Sequence, residues 1–433
     1  VDGGGLLIIG AGPTGLALSM AWRGRSQVLE AGDAVGGLCR SPTFGGGVFD
    51  LGGHSFHAAD PAVGALVERL MAGRWESQRR DARVYFGGRL IDYPFQSHVS
   101  QIADPAIIAE CEAARPLPGS DAGSGADDFE AWILARFGAG VARHFMLPYN
   151  RKLWARDLRR ISPGWVGERV AGGEAPAGPG RRPLTPQSVV AYPAEGGFVT
   201  IFEAMARRCG PIAFGQKVTR IDPSAGVAWT EAGQAWPWDT LVSTMPLPEL
   251  LRAIVGCPPA LIAEADRLEA VSLKILMILV DGPVGDAPQR VYVASPDMPA
   301  HKIAFNHTAS RRLRSLPVSA IMGEIAYSPE KPAPGDADLT GASLDWLADT
   351  GLIAGRDRVI ETRIVDLPHG YPVQTHDRPA ILARIRAYLA PLGIHTAGRF
   401  GGWDYVNSDA CIGQGLRLAT ELAAAPVPRA RRA

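Results

Sequence analysis

An excess of charge of either sign is missing. The 433 residues carry 44 basic and 44 acidic side chains. No basic stripe points to nucleic acid, and no acidic tail to a solvating segment. Cysteine is scarce. Cys39, Cys111, Cys209, Cys257 and Cys411 are odd in number, widely spaced and form no CxxC pair. That argues against a disulfide framework or a zinc site and fits a reducing cytoplasm. No apolar run reaches about eighteen residues, so no membrane span is expected; Leu276 to Val280 is short and preceded by Lys274. No signal peptide precedes the first strand, so a cytoplasmic location is expected. Internal repeats are absent too. The hydrophobic fraction, 46%, is enough for two or three domains around real cores.

The stretch Leu6 to His54 organises what is present. Leu6 to Ile9 is a short apolar run fit for a buried parallel strand. Gly10-Ala11-Gly12-Pro13-Thr14-Gly15 follows at once, and Leu16 to Trp22 continues as an apolar helix face. A glycine-rich turn between strand and helix lets backbone approach a pyrophosphate, whose charge then sits on the helix N-terminus. Glu30 follows Gly10 by about twenty residues, at the end of a second apolar strand. There a carboxylate accepts from the ribose hydroxyls of a dinucleotide. GxGxxG alone is a weak signal; strand, turn, helix, strand and acid together make a dinucleotide site.

Gly36-Gly37-Leu38-Cys39-Arg40-Ser41 is a second glycine turn close behind the acid, and Gly52-Gly53-His54 ends the next apolar run. This order resembles large flavoproteins of the glutathione-reductase type. There a GG pair with a basic residue runs along the FAD pyrophosphate, and a later GG brings backbone beneath the isoalloxazine. The resemblance implies FAD held by Gly10, Gly12, Pro13, Thr14, Gly15, Glu30, Gly37, Leu38, Arg40, Gly53 and His54. No second GxGxxG is present, so a nicotinamide reductant, if used, would dock transiently.

The expected fold is α/β: a discontinuous Rossmann-like FAD domain from residues 1–60, 190–250 and 393–425. A mainly helical insertion spans 61–189. Its glycine- and proline-rich segment 171–187 is a candidate mobile lid. Residues 251–392 alternate apolar strands with turns and no long helix intervenes, predicting a mostly antiparallel sheet domain. Residues 426–433 read as a basic, proline-containing tail.

Five further motifs carry a narrower resemblance: GGLCRS with LGGHSFH, YPFQ, PYNRKLW with GERV, GYP, and GRFGGWDY. Together they resemble the UDP-galactopyranose mutases, eukaryotic-type sequences in particular, over almost the whole chain. The resemblance implies that Tyr93 and Gln96 hold a uracil, and that Asn150 and Trp154 line the nucleotide and sugar site. Arg169 would clamp a diphosphate through its planar fork, with Tyr292, Tyr371 and Tyr405 reaching the same group. Arg399 would stabilise the flavin, His54 would stand beside it, Val218 would hold the adenine by its backbone, and Asp409 would join the cofactor set. His54, Arg169 and Lys302 are the implied catalytic residues.

Two positions depart from the family. Lys302 stands where a second diphosphate arginine is usual, keeping the charge and losing the fork. Gln187 replaces an asparagine that faces substrate. A nucleotide sugar other than UDP-galactose, on dTDP or GDP, therefore fits as well. The implied reaction is pyranose–furanose isomerisation, with N5 of reduced FAD bonding to the anomeric carbon. The sequence shows no Ser-His-Asp, metal or paired-carboxylate signature, in keeping with a cofactor that carries the hard step. Two other readings stay open. One is an FAD oxidoreductase of the amine-oxidase, protoporphyrinogen-oxidase or desaturase type; the other is a non-enzymatic flavin or nucleotide-sugar binder.

Overall fold

The computed structural model describes residues 5–113, 116, 122–166 and 189–424. Arg169, Gln187 and the whole 171–187 segment lie outside the described residues, as does the 426–433 tail.

Leu6–Ile9 is the middle of a five-stranded, wholly parallel sheet. It pairs with Ser26–Leu29 on one side and Thr240–Ser243 on the other; Ile212–Ala213 and Ile394–Thr396 are the edges. Alternate side chains of one strand must face opposite ways. Leu6 and Ile8 accordingly pack among Leu16, Leu18, Ile201 and Ile412, while Leu7 and Ile9 pack among Leu250, Leu251, Ile381 and Ile385. Both faces are covered, which is why these strands read as unbroken apolar runs. Strands from three distant parts of the chain meet here, giving the expected discontinuous Rossmann-like arrangement.

Two helices, Pro13–Ala21 and Ser408–Ala424, lie against each other on one face, and glycine sets how closely. A Cβ on Gly415 would fall 2.4 Å from the Thr14 carbonyl oxygen. Gly415→Ala is therefore expected to push the helices apart and cost about 1–3 kcal/mol. A lower urea midpoint with unchanged slope would register it.

The second sheet has seven strands in the order Val359–Pro372, Ala270–Asp281, Val318–Tyr327, Lys302–Phe305, Arg290–Val293, Ala82–Phe86, Arg89–Asp92. Every pairing is antiparallel except Arg290–Val293 with Ala82–Phe86. The hairpin at residues 82–92, which falls inside the segment expected to be mainly helical, forms the edge of this sheet. One sheet face packs on Phe129–Val141 and Leu147–Trp154.

Two expectations need correction: that the helical run through Val141, Phe145 and Met146 stops near Pro148, and that no long helix interrupts 251–392. Pro148 does not stop a helix. A π-helical turn, Ala142–Met146, runs directly into Leu147–Trp154, and Pro148 sits in its first turn, where a missing N–H costs nothing. The 251–392 segment does contain a long helix, Asp336–Asp349. Asp336 and Asp338 occupy its first turn, and Leu339, Leu344, Trp346 and Leu347 cover the other face of the large sheet. Among the described residues no helix is long and apolar enough to cross a membrane.

Candidate active site

The cofactor end is built from backbone. Gly10 has φ +103, and its Cβ would strike Thr244 Oγ1 at 2.2 Å. Gly12 caps the helix Pro13–Ala21 without a side-chain hydrogen bond, and the first turn holds no acid. Its unsatisfied N–H groups are thus free of a competing carboxylate, as an anion site requires. A Cβ on Gly15 would lie 2.1 Å from the Gly10 carbonyl oxygen. The second glycine turn folds onto the first: Gly36 N–H donates to the Ala11 carbonyl at 2.9 Å, and the Cβ direction of Gly37 points at Gly12 Cα, 3.5 Å away.

Glu30 ends its strand with one carboxylate oxygen accepting from Ala11 N–H and the other from Gly32 N–H, both at 2.8 Å. Gly215 and Gln216 donate to the Gly32 and Glu30 carbonyls, which brings Val218 to this end. Thr14 Oγ1 donates to the Cys411 carbonyl at 3.1 Å, and Asp409 accepts from Ala59 N–H at 3.2 Å. Arg40 Nε donates to the Gly37 carbonyl at 3.2 Å, and Leu38 packs against two cores. Arg399 places its N–H groups on the Val406 and Gly370 carbonyls, so it braces the GRFGGWDY turn beneath Tyr371 and Tyr405.

His54 stacks on Phe198 with ring centres 5.0 Å apart. Burial pulls its imidazole down to about 3. Its Nδ1 is buried and has no hydrogen-bond partner among the described residues. A buried polar atom left alone is costly, and this one belongs to the residue directly after the Gly52–Gly53 turn. The paired glycine turns, the acid-free helix start and this orphaned nitrogen fit FAD.

Beyond Gly53 the large sheet presents a second cluster. Tyr292, Lys302 and Glu324 stand directly opposite one another on three adjacent strands, and so share one face. Tyr93 stacks on Tyr292 with centres 4.7 Å apart. Edge-to-face contacts then run from Tyr292 through Tyr149, His301 and Tyr371 to Tyr405 and Trp154. Trp154 and Asn150 are buried on one face of their helix, and Gln96 is buried too. Asn150 spends Nδ2 on the Met146 carbonyl of its own helix, whereas the buried Trp154 Nε1 has no partner among the described residues.

Three charged residues of this cluster escape the sequence reading, Arg80, Arg290 and Glu324, as does the buried His301. Arg80 Nη2 donates to the Tyr292 hydroxyl at 2.6 Å and its guanidinium lies over Tyr93. Arg290 donates to Ser55 Oγ at 3.0 Å. Burial would raise the Tyr292 phenol, but Arg80, Arg290 and Lys302 bring it down to about 8. Tyr93 is pushed up to about 12 by burial and by Tyr292, which outweigh Arg80 and Arg290. Glu324 takes Lys302 Nζ at 2.7 Å, Gly53 N–H at 2.6 Å and the Tyr371 hydroxyl at 2.7 Å. Burial would raise its carboxyl, yet Lys302 and His301 hold it at about 2. Arg290 was legible in one respect: it precedes Tyr292 by two positions on a strand and so shares its face. Nothing local marks Arg80 or Glu324.

These groups set an acid dependence. His54 and His301 sit at about 3, below the ordinary 6.5, because burial favours the neutral ring. Their contribution is complete above pH 6.5 and is lost as pH falls toward 3. Glu324, at about 2 against 4.5, adds a loss below pH 4.5 in the same direction. The urea midpoint is expected to fall below pH 6.5, because the two rings outweigh Asp50, whose carboxyl, raised to about 6, acts in the opposite direction as pH drops toward 3.8. His301→Gln, which removes one titrating ring, should flatten that fall.

Fold and site together define an FAD-dependent enzyme. The family model for flavin containing amine oxidoreductases matches residues 18–316, well over half the chain, and the chain belongs to that family. A crystal structure of reduced UDP-galactopyranose mutase superposes with a TM-score of 0.87 at 25% identity, over 98% of this chain and 94% of that one. A provisionally assigned protoporphyrinogen oxidase from Exiguobacterium sp. 255-15 gives 0.75 at 17% identity, over 98% and 99%, a likeness of fold alone. By sequence, coproporphyrinogen III oxidase of Mycobacterium leprae (strain TN) is 25% identical over 307 residues. That match spans 63% of this chain and 66% of the relative's length.

Proposed function

We propose that this flavoenzyme isomerises a nucleotide sugar between pyranose and furanose forms. One observation carries the reading: Arg80, Arg290 and Lys302 crowd around one phenol, with Glu324 paired to Lys302, beside the turn that would underlie the flavin. Among the described residues this site holds more cations than carboxylates, in a water-poor setting. A diphosphate diester supplies two negative charges to match it. The aromatic wall formed by Tyr93 and Tyr292, with Gln96 buried nearby, suits a flat, hydrogen-bonding base.

In this reading Arg80, Arg290 and Lys302, joined by Arg169, hold the diphosphate and stabilise it as a leaving group. Tyr371, Tyr405, Trp154 and Asn150 enclose the sugar and exclude water. His54, kept neutral by burial, presents an uncharged edge to the flavin. Bound and reduced, FAD supplies the electron pair for the anomeric carbon. The UDP-galactopyranose mutase likeness supports this assignment, and Lys302 and Gln187 leave the sugar and base open.

The second reading is oxidation of a porphyrinogen, favoured by the coproporphyrinogen III oxidase relative. Its carboxylate side chains would also meet a positive site. The test is to incubate the anaerobic, dithionite-reduced protein with a panel of UDP-, dTDP- and GDP-sugars and resolve the products chromatographically. A furanose product from one of them supports the proposal. No product from any, with oxygen-dependent porphyrin formation from a porphyrinogen, transfers the assignment to the second reading.

A further inference from the structure

Lys302 is not free to act as a simple clamp. Its Nζ lies 2.7 Å from Glu324 Oε1, and the same oxygen accepts Gly53 N–H at 2.6 Å. The other carboxylate oxygen accepts from the Tyr371 hydroxyl, with His301 Nε2 3.7 Å away. Glu324 is only 3% exposed. The Gly52–Gly53 turn is moulded on this pair. A Cβ on Gly52, at φ +121, would lie 3.0 Å from Glu324 Oε1; one on Gly53 would meet Ala304 Cβ at 3.0 Å, Arg290 Nε at 3.3 Å and Lys302 Cε at 3.6 Å. One buried carboxylate thus joins three things: the backbone turn on the flavin side, a cation of the anion site and a tyrosine of the aromatic wall.

We propose that Glu324 is a positioning residue that holds the Gly52–Gly53 turn in place and restrains Lys302, so that an arriving anion must compete with it for the ammonium. This rests on the anion-site reading above. A buried carboxylate shared in this way has two separable consequences. It weakens anion binding, since one cation is already neutralised. It also places negative charge near the flavin, which opposes the charge gained on reduction.

The test uses the FAD-loaded protein, inorganic pyrophosphate as the anion probe, and the flavin midpoint potential as an independent readout. Glu324→Gln keeps an acceptor for Gly53 and removes the charge. Pyrophosphate should bind about tenfold more tightly or better, by the size of a close charge interaction at an effective dielectric near 20, and the potential should shift positive. Adding Lys302→Gln should abolish the gain in affinity. A role confined to packing would not tighten binding. Unchanged affinity and potential in Glu324→Gln, or a gain that survives in the double variant, overturns the proposal.

If Glu324→Gln does not fold, Lys302→Gln alone decides. It leaves the carboxylate uncompensated, so pyrophosphate should bind more weakly and the potential shift negative. A potential unmoved by that change overturns the proposal. Failure of the wild-type protein to bind pyrophosphate would instead count against the anion-site reading. The potentials, expected to move in opposite directions in the two single variants, would still test Glu324.

Discussion

Arg290→Ala is expected to weaken binding of a nucleoside diphosphate by about two orders of magnitude while leaving a free nucleoside's affinity within about threefold. The guanidinium is held beside Ser55 and packed against the Gly53 turn, in a setting that excludes most water. A charge-assisted contact made there is worth more than one at a surface. Removing one partner of a buried charge pair costs about 2–5 kcal/mol. Arg80→Ala should act in the same direction, since its guanidinium reaches both Tyr292 and Tyr93. Each change also removes a cation that keeps the Tyr292 phenol at about 8, so the phenol should titrate higher. Calorimetry with UDP and with uridine, and ultraviolet titration of the tyrosines, make the two measurements. Unchanged UDP affinity in both variants would mean that the charge around Tyr292 serves the fold alone. Arg169→Ala is expected to weaken UDP binding as well, because the mutase resemblance assigns it to the diphosphate.

What could be read from sequence was what local chemistry dictates. The strand–turn–helix from Leu6 to Trp22 announces itself because a parallel strand buried on both faces must be wholly apolar and a pyrophosphate turn must be glycine. The strands of the large sheet were legible through their alternation: the sequence reads Leu273–Val280 and Ser319–Tyr327 as strands, and the structure has Ala270–Asp281 and Val318–Tyr327. The helix Asp336–Asp349 was missed because its apolar positions are few, Leu339, Leu344, Trp346 and Leu347, with Thr340 and Gly341 between the first two. The π-helical turn before Pro148 was missed because a proline reads as a stop, whether it ends one helix or opens the next.

The motifs named the tyrosines and Lys302 but not Arg80, Arg290 or Glu324 around them. Arg80, Arg290 and Glu324 meet only because a parallel pairing brings Ala82–Phe86 beside Arg290–Val293, and because Lys302–Phe305 pairs with Val318–Tyr327. Register between strands far apart in sequence leaves no local trace. For the same reason Lys302 looked like a weakened diphosphate clamp, while its ion pair with Glu324 could not be foreseen. Asp50 was overlooked in the same way. It is buried beneath the hydroxyls of Ser41 and Tyr192 and the Phe198 N–H, and burial raises its carboxyl to about 6.

An isomerase and an oxidoreductase on this fold differ in where the electrons go. Pyranose and furanose forms have the same oxidation state, so isomerisation draws on reduced FAD without spending it. An oxidase takes electrons from every substrate molecule, two for each flavin it reduces, and must pass them on. In the proposed reading the cations around Tyr292 serve the first case, because they would hold a leaving group that has to return. The most direct measurement is therefore redox stoichiometry. The protein is reduced anaerobically with a known, substoichiometric amount of dithionite and given the nucleotide sugar that it accepts. Product and reduced flavin are then counted together. The account predicts many product molecules per reducing equivalent, no turnover by the oxidised protein, and flavin still reduced at the end. Product formed by the oxidised protein, one molecule for each flavin that becomes reduced, would contradict it.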